Sequence, residues 1–338
     1  MILAAVDADR LRAWLLDALD VSGDSFAVEV ISGGRSNLTL GVQVGGRHLV
    51  VRRPPLGHFL PTAHDMSREY RVYRALHATP VPVPEAFAMC EDPSVIGAPF
   101  YVMQRMYGVV PHEPAALAHV DPDANARTAA HFVEVLAAVH GTDVDAVGLG
   151  DLGRRSGYLE RQVRRWVEQW QRAKDRDEPV IDALAESLQH AMPVQGDTTL
   201  VHGDYRLGNV MLDAADTGRV VAVFDWEMAT LGDPMSDLGY TLLWWGTVDR
   251  AAIHPSQQIA DLPGFPSAQE LAARYATVSG RDVTDVPWHM ALAAFKLAVI
   301  GEGQRATMRR AGQEVPATSG QPLAEWALDL LVKQGSRR

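Results

Sequence analysis

The stretch from Leu200 to Gly246 constrains the fold and chemistry of this chain more than any other part of the sequence. A short apolar run ends just before Asp204, and Asn209 follows five residues after that aspartate. A second strand-like run, Val220 to Phe224, leads into Asp225, which lies sixteen residues after Asn209. Two loops, each at the end of an apolar run, therefore present side chains that can handle a proton and a divalent metal.

The order and spacing of these side chains are typical of phosphoryl transfer. The protein-kinase signature contains an aspartate that accepts the hydroxyl proton, an asparagine a few residues later, and a further aspartate on the metal. Such proteins position a hydroxyl and neutralise phosphate charge, with little covalent chemistry of their own. Mg²⁺ takes oxygen ligands from one or two carboxylates plus substrate phosphates. The pattern predicts Asp204 as the catalytic residue and Asn209 and Asp225 as the metal ligands.

Three blocks, HGDYRLGN, DWE and GDPMSDLG, resemble those of the aminoglycoside phosphotransferase and choline kinase-like family. They occur in the family's order, and the chain most resembles the branch whose members also occur fused to acyl-CoA dehydrogenases. The resemblance implies an α+β, bilobal protein-kinase-like fold with an antiparallel sheet in a small N-lobe and a larger, mostly helical C-lobe. It also implies transfer of the γ-phosphate of ATP, with Mg²⁺, to a hydroxyl of a small-molecule acceptor.

Simpler interpretations exist for each residue of the motif. The segment around Asp204 fits a tight turn with an Asx hydrogen bond, and Asp225 fits a helix N-cap. A nucleotide-binding pseudokinase that regulates a partner protein is the alternative function, although no base or metal residue is missing. A metal-dependent hydrolase fits less well, because a second metal-ligand histidine is not evident nearby.

Composition narrows the class of protein and its partners. The 338 residues are 47% hydrophobic and 22% charged, as expected of a globular chain with two domains or lobes. The formal net charge of −11 argues against a nucleic-acid or anionic membrane surface. Cys90 is the only cysteine, which favours a reducing compartment.

The N-terminal segment indicates a cytoplasmic protein. Asp7, Asp9 and Arg10 interrupt the apolar start, so the segment is typical of an amphipathic helix and not of a signal peptide. The sequence contains no apolar run near the ~20 residues that a membrane-spanning helix needs. We therefore expect a small-molecule acceptor and neither nucleic-acid nor membrane partners.

A glycine-rich turn separates two predicted strands, Phe26 to Ile31 and Leu38 to Val44. Backbone N–H groups in such a turn can lie over phosphate, although a glycine pair alone is more often an ordinary hairpin turn. The family has a similar loop, and this resemblance implies a nucleotide-binding role. The predicted cofactor-binding residues of the turn are Gly33, Gly34, Ser36 and Asn37.

A basic pair, Arg52 and Arg53, ends the next predicted strand at the position where kinases place a lysine. Arginine has a planar fork that can bind phosphate oxygens bidentately, so the charge is kept while the geometry changes. The family branch often reads LRRPP here, and the resemblance implies that Arg52 is the phosphate-binding residue. A solvated basic strand end is the alternative.

A predicted helix, Asp65 to Ala78, carries Glu69, which matches the family residue that holds the strand cation. Glu69 also fits a solvent-facing acid paired with Arg68 or Tyr73. The following strands, Ala86 to Cys90 and Phe100 to Met103, complete a predicted sheet of about five strands.

The family hinge, where adenine meets backbone groups, corresponds to Gln104 and Met106. We expect residues 1–106 to form the nucleotide-binding lobe and residues 107–338 the catalytic and acceptor-binding lobe. In the second lobe, His202 and Asp237 are expected to support the catalytic loop. Trp244, Trp245 and the segment 249–267 are candidates for acceptor contact.

Overall fold

The computed structural model describes residues 6–33, 37–55, 65–245, 259–315 and 320–335. Within these residues the N-lobe is built on a five-stranded antiparallel sheet with the strand order β1-β2-β3-β5-β4. The predicted sheet is confirmed. Its strands are β1 (Phe26–Gly33), β2 (Leu38–Val44), β3 (Arg47–Arg53), β4 (Ala86–Cys90) and β5 (Phe100–Gln104).

The alternation of side chains along β2 and β3 gives the sheet two different faces. Leu40 and Val42 of β2 lie in an apolar cluster with Leu11 and Leu15 of helix α1 (Ala8–Ala18), which covers one face. Arg52 of β3 pairs with Thr39 of β2, and both residues alternate along their strands with the apolar ones. The pleat therefore directs Arg52 to the face opposite α1.

Helix α2 (Met66–Leu76) packs against that second face. Asp65 caps the helix by accepting hydrogen bonds from the backbone N–H groups of Ser67 and Arg68, both at 3.1 Å. The buried residues of α2 recur at helical spacing. The polar Glu69 lies among them, and none of its side chain is exposed. A charged group in this apolar stripe requires a partner, and the partner comes from the sheet.

The C-lobe is mostly helical, as expected. In the described part of this lobe, two small sheets lie among the helices: β6 (Thr199–Val201) pairs with β9 (Thr230–Gly232), and β7 (Val210–Leu212) pairs with β8 (Val220–Val223). β7 and β9, each three residues long, were not predicted. The helices are α3 (Pro122–His140), α4 (Tyr158–Ala173), α5 (Pro179–His190), α6 (Pro234–Leu243), α7 (Ala268–Ser279), α8 (Val286–Arg310) and α9 (Gln321–Gly335).

Across the described ranges, none of the helices has the length and apolar character needed to cross a bilayer. The long helix α8 includes two buried polar residues, His289 and Glu302.

Candidate active site

The catalytic loop follows β6 and depends on one glycine. Gly203 has a φ of +88°, and a Cβ atom there would lie 2.9 Å from Cβ of Met228. His202 is fully buried beside it. Its Nε2 donates to the carbonyl oxygen of Phe224 at 2.8 Å, and its Nδ1 accepts from the backbone N–H of Asp204 at 3.2 Å. These hydrogen bonds connect the catalytic loop to the residue before Asp225, and they confirm the structural role predicted for His202.

Asp237, near the start of α6, holds the same loop from the other side. Its carboxylate accepts hydrogen bonds from the backbone N–H groups of His202, at 2.5 Å, and of Gly203, at 2.8 Å. His140 lies 3.2 Å from Asp237 through Nε2 and 2.7 Å from the hydroxyl of Tyr275 through Nδ1. Burial alone would raise the pKa of Asp237, but its hydrogen bonds and the nearby histidines lower it. The predicted supporting role of Asp237 is confirmed.

Asp204 and Asn209 contact each other directly. Nδ2 of Asn209 donates to Oδ2 of Asp204 and to its backbone carbonyl oxygen, both at 2.8 Å. These two bonds define the amide orientation, so that Oδ1 of Asn209 is the atom available to a metal. Oδ1 of Asp204 lies 3.4 Å from Nε of Arg206. Burial, and then the charge of Asp204, raise the pKa of the Tyr240 hydroxyl nearby.

Asp225 stands at the end of β8 and joins the two loops of the motif. The N–H of Phe224 donates to the carbonyl oxygen of Asn209 at 2.9 Å, which places the two predicted metal ligands on adjoining segments. Asp225 has a φ of +67°, a left-handed conformation that is uncommon outside glycine and that aspartate and asparagine tolerate better than most residues.

Arg52 bridges Asp225 and Glu69 across the interior of the cleft. Its Nη2 lies 2.6 Å from Oδ1 of Asp225, and its Nε lies 3.1 Å from Oε2 of Glu69. The side chain of Glu69 is fully buried and that of Arg52 is 13% exposed. The predicted arrangement of these residues is present, and both alternatives, a solvated strand end and a solvent-facing acid, disagree with the burial.

The neighbouring Arg53 points away from this site. It is buried, and it donates to the carbonyl oxygens of Pro54 at 3.0 Å and of Ile96. The strand register therefore directs Arg52, and not Arg53, toward the cleft.

Burial and charge act against each other in this bridge. The pKa of Glu69 is raised to about 7, because burial and, to a smaller extent, the charge of Asp225 raise it more than the adjacent Arg52 lowers it. Burial also opposes the charge of Arg52, but the surrounding acidic groups, with Glu69 first among them, raise its pKa well above the ordinary value. The guanidinium thus stays charged beside two carboxyl groups.

The glycine-rich turn is described only at its edges. Gly33 ends β1, whereas Gly34 and Ser36 lie outside the described residues. Asn37 is buried, and its Nδ2 donates to Oε2 of Glu227 at 3.1 Å. This contact joins the turn to the DWE block of the other lobe, a pairing that the sequence did not predict.

The hinge differs in part from its prediction. The backbone N–H of Gln104 donates to the carbonyl oxygen of Glu85 at 2.7 Å, because Gln104 is still the last residue of β5. This backbone N–H is therefore not free to bind a nucleobase, and the prediction is corrected for this one group of Gln104. The role of Met106 stays a prediction. Arg105, which was not predicted, pairs with Glu29 and lies over the ring of Tyr107 at 5.2 Å.

A pocket lies next to the catalytic loop on the C-lobe side. Trp244 and Trp245 both border it, as does the residue pair 259–260, whereas 246–258 lie outside the described residues. Trp245 is buried in the core, 5.6 Å from the ring of Phe132, and Trp244 is half-buried. The lining residues are Pro111, His112, Phe132, Arg206, Leu207, Gly208, Thr241, Trp244, Trp245, Ile259 and Ala260.

Arg206 and His112 are pocket residues that were not predicted from the sequence. Arg206 could have been noticed, since it lies within the HGDYRLGN block two residues after Asp204. His112 could not have been noticed in this way, because it lies far in the sequence from the HGDYRLGN block.

The donor atoms at the end of β8 suit a hard divalent cation. No group of three or more histidine, cysteine, aspartate or glutamate side chains forms a metal site in the described part of the chain. The available donors are instead the amide oxygen of Asn209 and the carboxylate of Asp225. Mg²⁺ requires only such oxygen ligands, since substrate phosphates and water complete its shell.

Comparisons with known proteins place the chain in a family. The sequence profile of the phosphotransferase enzyme family matches residues 27–271. The chain belongs to this family. The prediction that the chain is a phosphotransferase is thereby confirmed.

The relatives of this phosphotransferase identify its branch. Mouse acyl-CoA dehydrogenase family member 10 is 34% identical over 343 residues, which cover 98% of this chain and 32% of that protein. Rat acyl-CoA dehydrogenase family member 11 is 35% identical over 337 residues, covering 96% of this chain and 43% of that protein. The phosphotransferase thus spans less than half the length of these relatives, and the predicted likeness to the fused branch is confirmed.

A solved structure supports the fold over nearly the whole chain. A Ralstonia eutropha protein assigned to the aminoglycoside phosphotransferases has a TM-score of 0.84 and 32% identity, with coverage of 97% of this chain and 98% of that one. The predicted bilobal, kinase-like α+β fold is confirmed.

Proposed function

We propose that this phosphotransferase moves the γ-phosphate of ATP to a hydroxyl of a small-molecule acceptor. The observation that carries the proposal is the buried bridge in which Arg52 contacts both Glu69 and Asp225. It places a fixed positive charge at the junction of the two lobes, next to the loop that carries Asp204 and Asn209. We propose residues 1–106 as the nucleotide-binding lobe and residues 107–338 as the catalytic and acceptor-binding lobe.

Each polar group at this junction has a defined task in the proposal. Asp204, oriented by the amide of Asn209, accepts the proton of the acceptor hydroxyl. Arg52 neutralises phosphate oxygens of the nucleotide, and Glu69 keeps its guanidinium in place. Asn209 and Asp225 would hold Mg²⁺, which supplies charge neutralisation at the phosphates when it is bound.

The rigid support around Asp204 matters because transfer depends on position. His202 and Asp237 fix the loop backbone through three hydrogen bonds, so the carboxylate of Asp204 has little freedom to move away from an acceptor. Holding reacting groups in place can supply several kcal/mol of the barrier reduction.

The character of the pocket favours an acceptor that is not strongly cationic. The lining is aromatic and aliphatic, with Arg206 as a fixed positive charge. A polycationic aminoglycoside would meet repulsion there. We propose a hydroxylated metabolite of the hydroxyacyl-CoA kind as the acceptor, and the relation to acyl-CoA dehydrogenase family members supports this choice.

A screen of acceptors tests the proposed function. ATP consumption is measured with and without Mg²⁺ against simple alcohols, aminoglycosides and hydroxyacyl-CoAs, and phosphorylated products are identified by mass spectrometry. We expect Mg²⁺-dependent phosphorylation of a hydroxyacyl-CoA and weak binding of kanamycin-like polycations. Sub-micromolar aminoglycoside binding would reverse the acceptor preference. Nucleotide binding without transfer to any acceptor would favour the pseudokinase alternative.

Replacement of Arg52 tests its contact with phosphate. Arg52→Ala should weaken ATP binding roughly ten- to a hundredfold, because hydrogen bonds to a charged group contribute ~1.5–3 kcal/mol. Adenosine, which carries no phosphate charge, should bind the variant nearly as well as the wild type. Titration calorimetry with both ligands measures the difference.

Two further variants sharpen this test. Arg52→Lys should retain part of the ATP affinity, since the charge remains while the planar fork is lost. Arg47→Ala removes an exposed arginine at the start of the same strand and should change neither affinity. An equal loss of ATP and adenosine binding in Arg52→Ala would assign Arg52 a role in lobe structure alone.

A further inference from the structure

A hydrogen bond between Asn37 and Glu227 crosses the cleft next to the bridge formed by Arg52 and Asp225. On the C-lobe side, Glu227 comes two residues after Asp225. On the N-lobe side, Asn37 comes two residues before Thr39, which pairs with Arg52 across the strands. The two contacts therefore connect the same edge of the sheet to the same segment of the C-lobe.

Glu227 lies on an anchored part of the C-lobe. It belongs to a short 3₁₀ turn, Trp226–Met228. Trp226 is fully buried, and its Nε1 donates to a backbone carbonyl oxygen of β8 at 3.1 Å. On the other side of the turn, the carbonyl oxygen of Ala229 accepts a hydrogen bond from Nε of Arg68 at 2.9 Å. Because its neighbours on both sides are held, Glu227 offers a carboxylate in a defined position.

Asn37 depends on this carboxylate for the orientation of its amide. The residue is only 6% exposed, and its Nδ2 donates to Oε2 of Glu227 at 3.1 Å. Among the described residues, Oδ1 of the same amide has no hydrogen-bond partner. A hydrogen bond to a charged acceptor is stronger than one between neutral groups. This contact therefore fixes the start of β2 relative to the C-lobe.

The neighbouring bridge cannot keep this role once ligands bind. In the proposed function, Arg52 contacts phosphate and Asp225 would hold Mg²⁺. Their mutual contact, with 2.6 Å between Nη2 and Oδ1, competes with both tasks. The bond between Asn37 and Glu227 uses neither side chain, so it can persist while Arg52 and Asp225 change partners.

We infer that Asn37 and Glu227 are positioning residues for the nucleotide. Their hydrogen bond keeps the end of the N-lobe sheet in register with the C-lobe while Arg52 turns to phosphate and Asp225 to the metal. The inference rests on the proposed function. A contact that is already formed without ligand increases affinity, because the two lobes lose less freedom when the nucleotide binds.

An exchange of donor and acceptor tests this inference in the full chain. Asn37→Asp places a second carboxylate against Glu227 and removes the donor. Adding Glu227→Gln restores a hydrogen bond in the opposite direction, because the new amide can donate to the new carboxylate. Each substitution keeps the size of the side chain, and the double variant keeps the net charge. Recovery in the double variant therefore depends on the contact itself.

The Kd of ATP is measured by calorimetry with and without Mg²⁺, and thermal melts show that each variant is folded. Asn37→Asp should weaken ATP binding roughly tenfold or more, the size expected for loss of a hydrogen bond to a charged group. The double variant should return to within about threefold of the wild type. Glu227→Gln alone should cost less than Asn37→Asp, since a neutral acceptor remains. The effect of Mg²⁺ should be kept in all three variants.

Gln43→Glu is the matched control for the added charge. Gln43 is an exposed amide of the same strand as Thr39, so this change adds an acid to β2 without reaching Glu227. It should leave the Kd of ATP within about threefold of the wild type. With an acceptor that is phosphorylated, Asn37→Asp should raise the KM for ATP more than it lowers kcat, because the contact acts on nucleotide position and not on the proton transfer.

Three results would overturn the inference. A double variant that binds ATP no better than Asn37→Asp would mean that the contact does not position the nucleotide. Tighter ATP binding by Asn37→Asp would mean that the contact holds the cleft closed against it. Loss of the Mg²⁺ effect in Glu227→Gln would make Glu227 a metal ligand.

The inference and the proposed function can fail separately. Recovery of ATP affinity in the double variant, without phosphorylation of any acceptor, would leave the inference standing and contradict the proposed function. Phosphorylation of an acceptor by the wild type, without recovery in the double variant, would support the proposed function and remove the inference.

Discussion

Asp204→Asn is expected to reduce turnover by ~10²–10⁴-fold, the usual contribution of a general base, while ATP affinity and thermal stability stay close to those of the wild type. The amide cannot accept the proton of the acceptor hydroxyl. The amide has the shape of the carboxylate, however. Its oxygen can still accept the hydrogen bond from Nδ2 of Asn209, which is 2.8 Å long in the wild type. Steady-state kinetics, calorimetry with ATP, and a thermal melt separate these quantities.

The control for this variant is Asp213→Asn in the turn after β7. Asp213 pairs with Arg219 on the surface of the same lobe, so its replacement removes an equal charge without touching the catalytic loop. Its turnover should equal that of the wild type. If Asp204→Asn keeps turnover within threefold of the wild type, Asp204 is not the base, and the proposed mechanism loses its central step.

Asp225→Ala is expected to remove the effect of Mg²⁺ on ATP binding and to lower turnover by roughly 10²–10⁴-fold, since charge stabilisation by a metal contributes several kcal/mol. Calorimetry with ATP in Mg²⁺ and in EDTA measures the first effect. The wild type should bind ATP more tightly with the metal, whereas the variant should bind it equally in both solutions. Tight, Mg²⁺-dependent binding by the variant would contradict the assignment of Asp225 as a ligand.

Backbone conformation complicates this variant and calls for a second one. Asp225 has a φ of +67°, where alanine costs roughly 1–2 kcal/mol and asparagine costs less. Asp225→Ala also removes one of the two acidic partners of Arg52. Asp225→Asn keeps the backbone and the size of the side chain while removing the charge. A loss of Mg²⁺ dependence shared by both variants would arise from the missing carboxylate and not from local unfolding.

Local sequence patterns determined much of this protein. The N-terminal helix could be placed from its amphipathic pattern, because an amphipathic helix must bury one stripe whatever it packs against. Asp204, Asn209 and Asp225 could be selected together because their spacing reflects the geometry of two adjoining loops. His202 and Asp237 followed from the same blocks, and the structure confirmed that both support the catalytic loop.

Other features were decided only by tertiary structure, because they depend on which distant groups meet. Arg52 and Arg53 end the same strand and lie on opposite faces of the sheet, and only the packing of α2 decides which face meets the buried Glu69. The contact between Asn37 and Glu227 spans 190 residues of sequence. The pocket beside the catalytic loop likewise joins His112 to Arg206 through the folding of separate loops. A sequence pattern specifies which face of an element is buried, whereas the charge and shape of a site depend on which elements pack against that face.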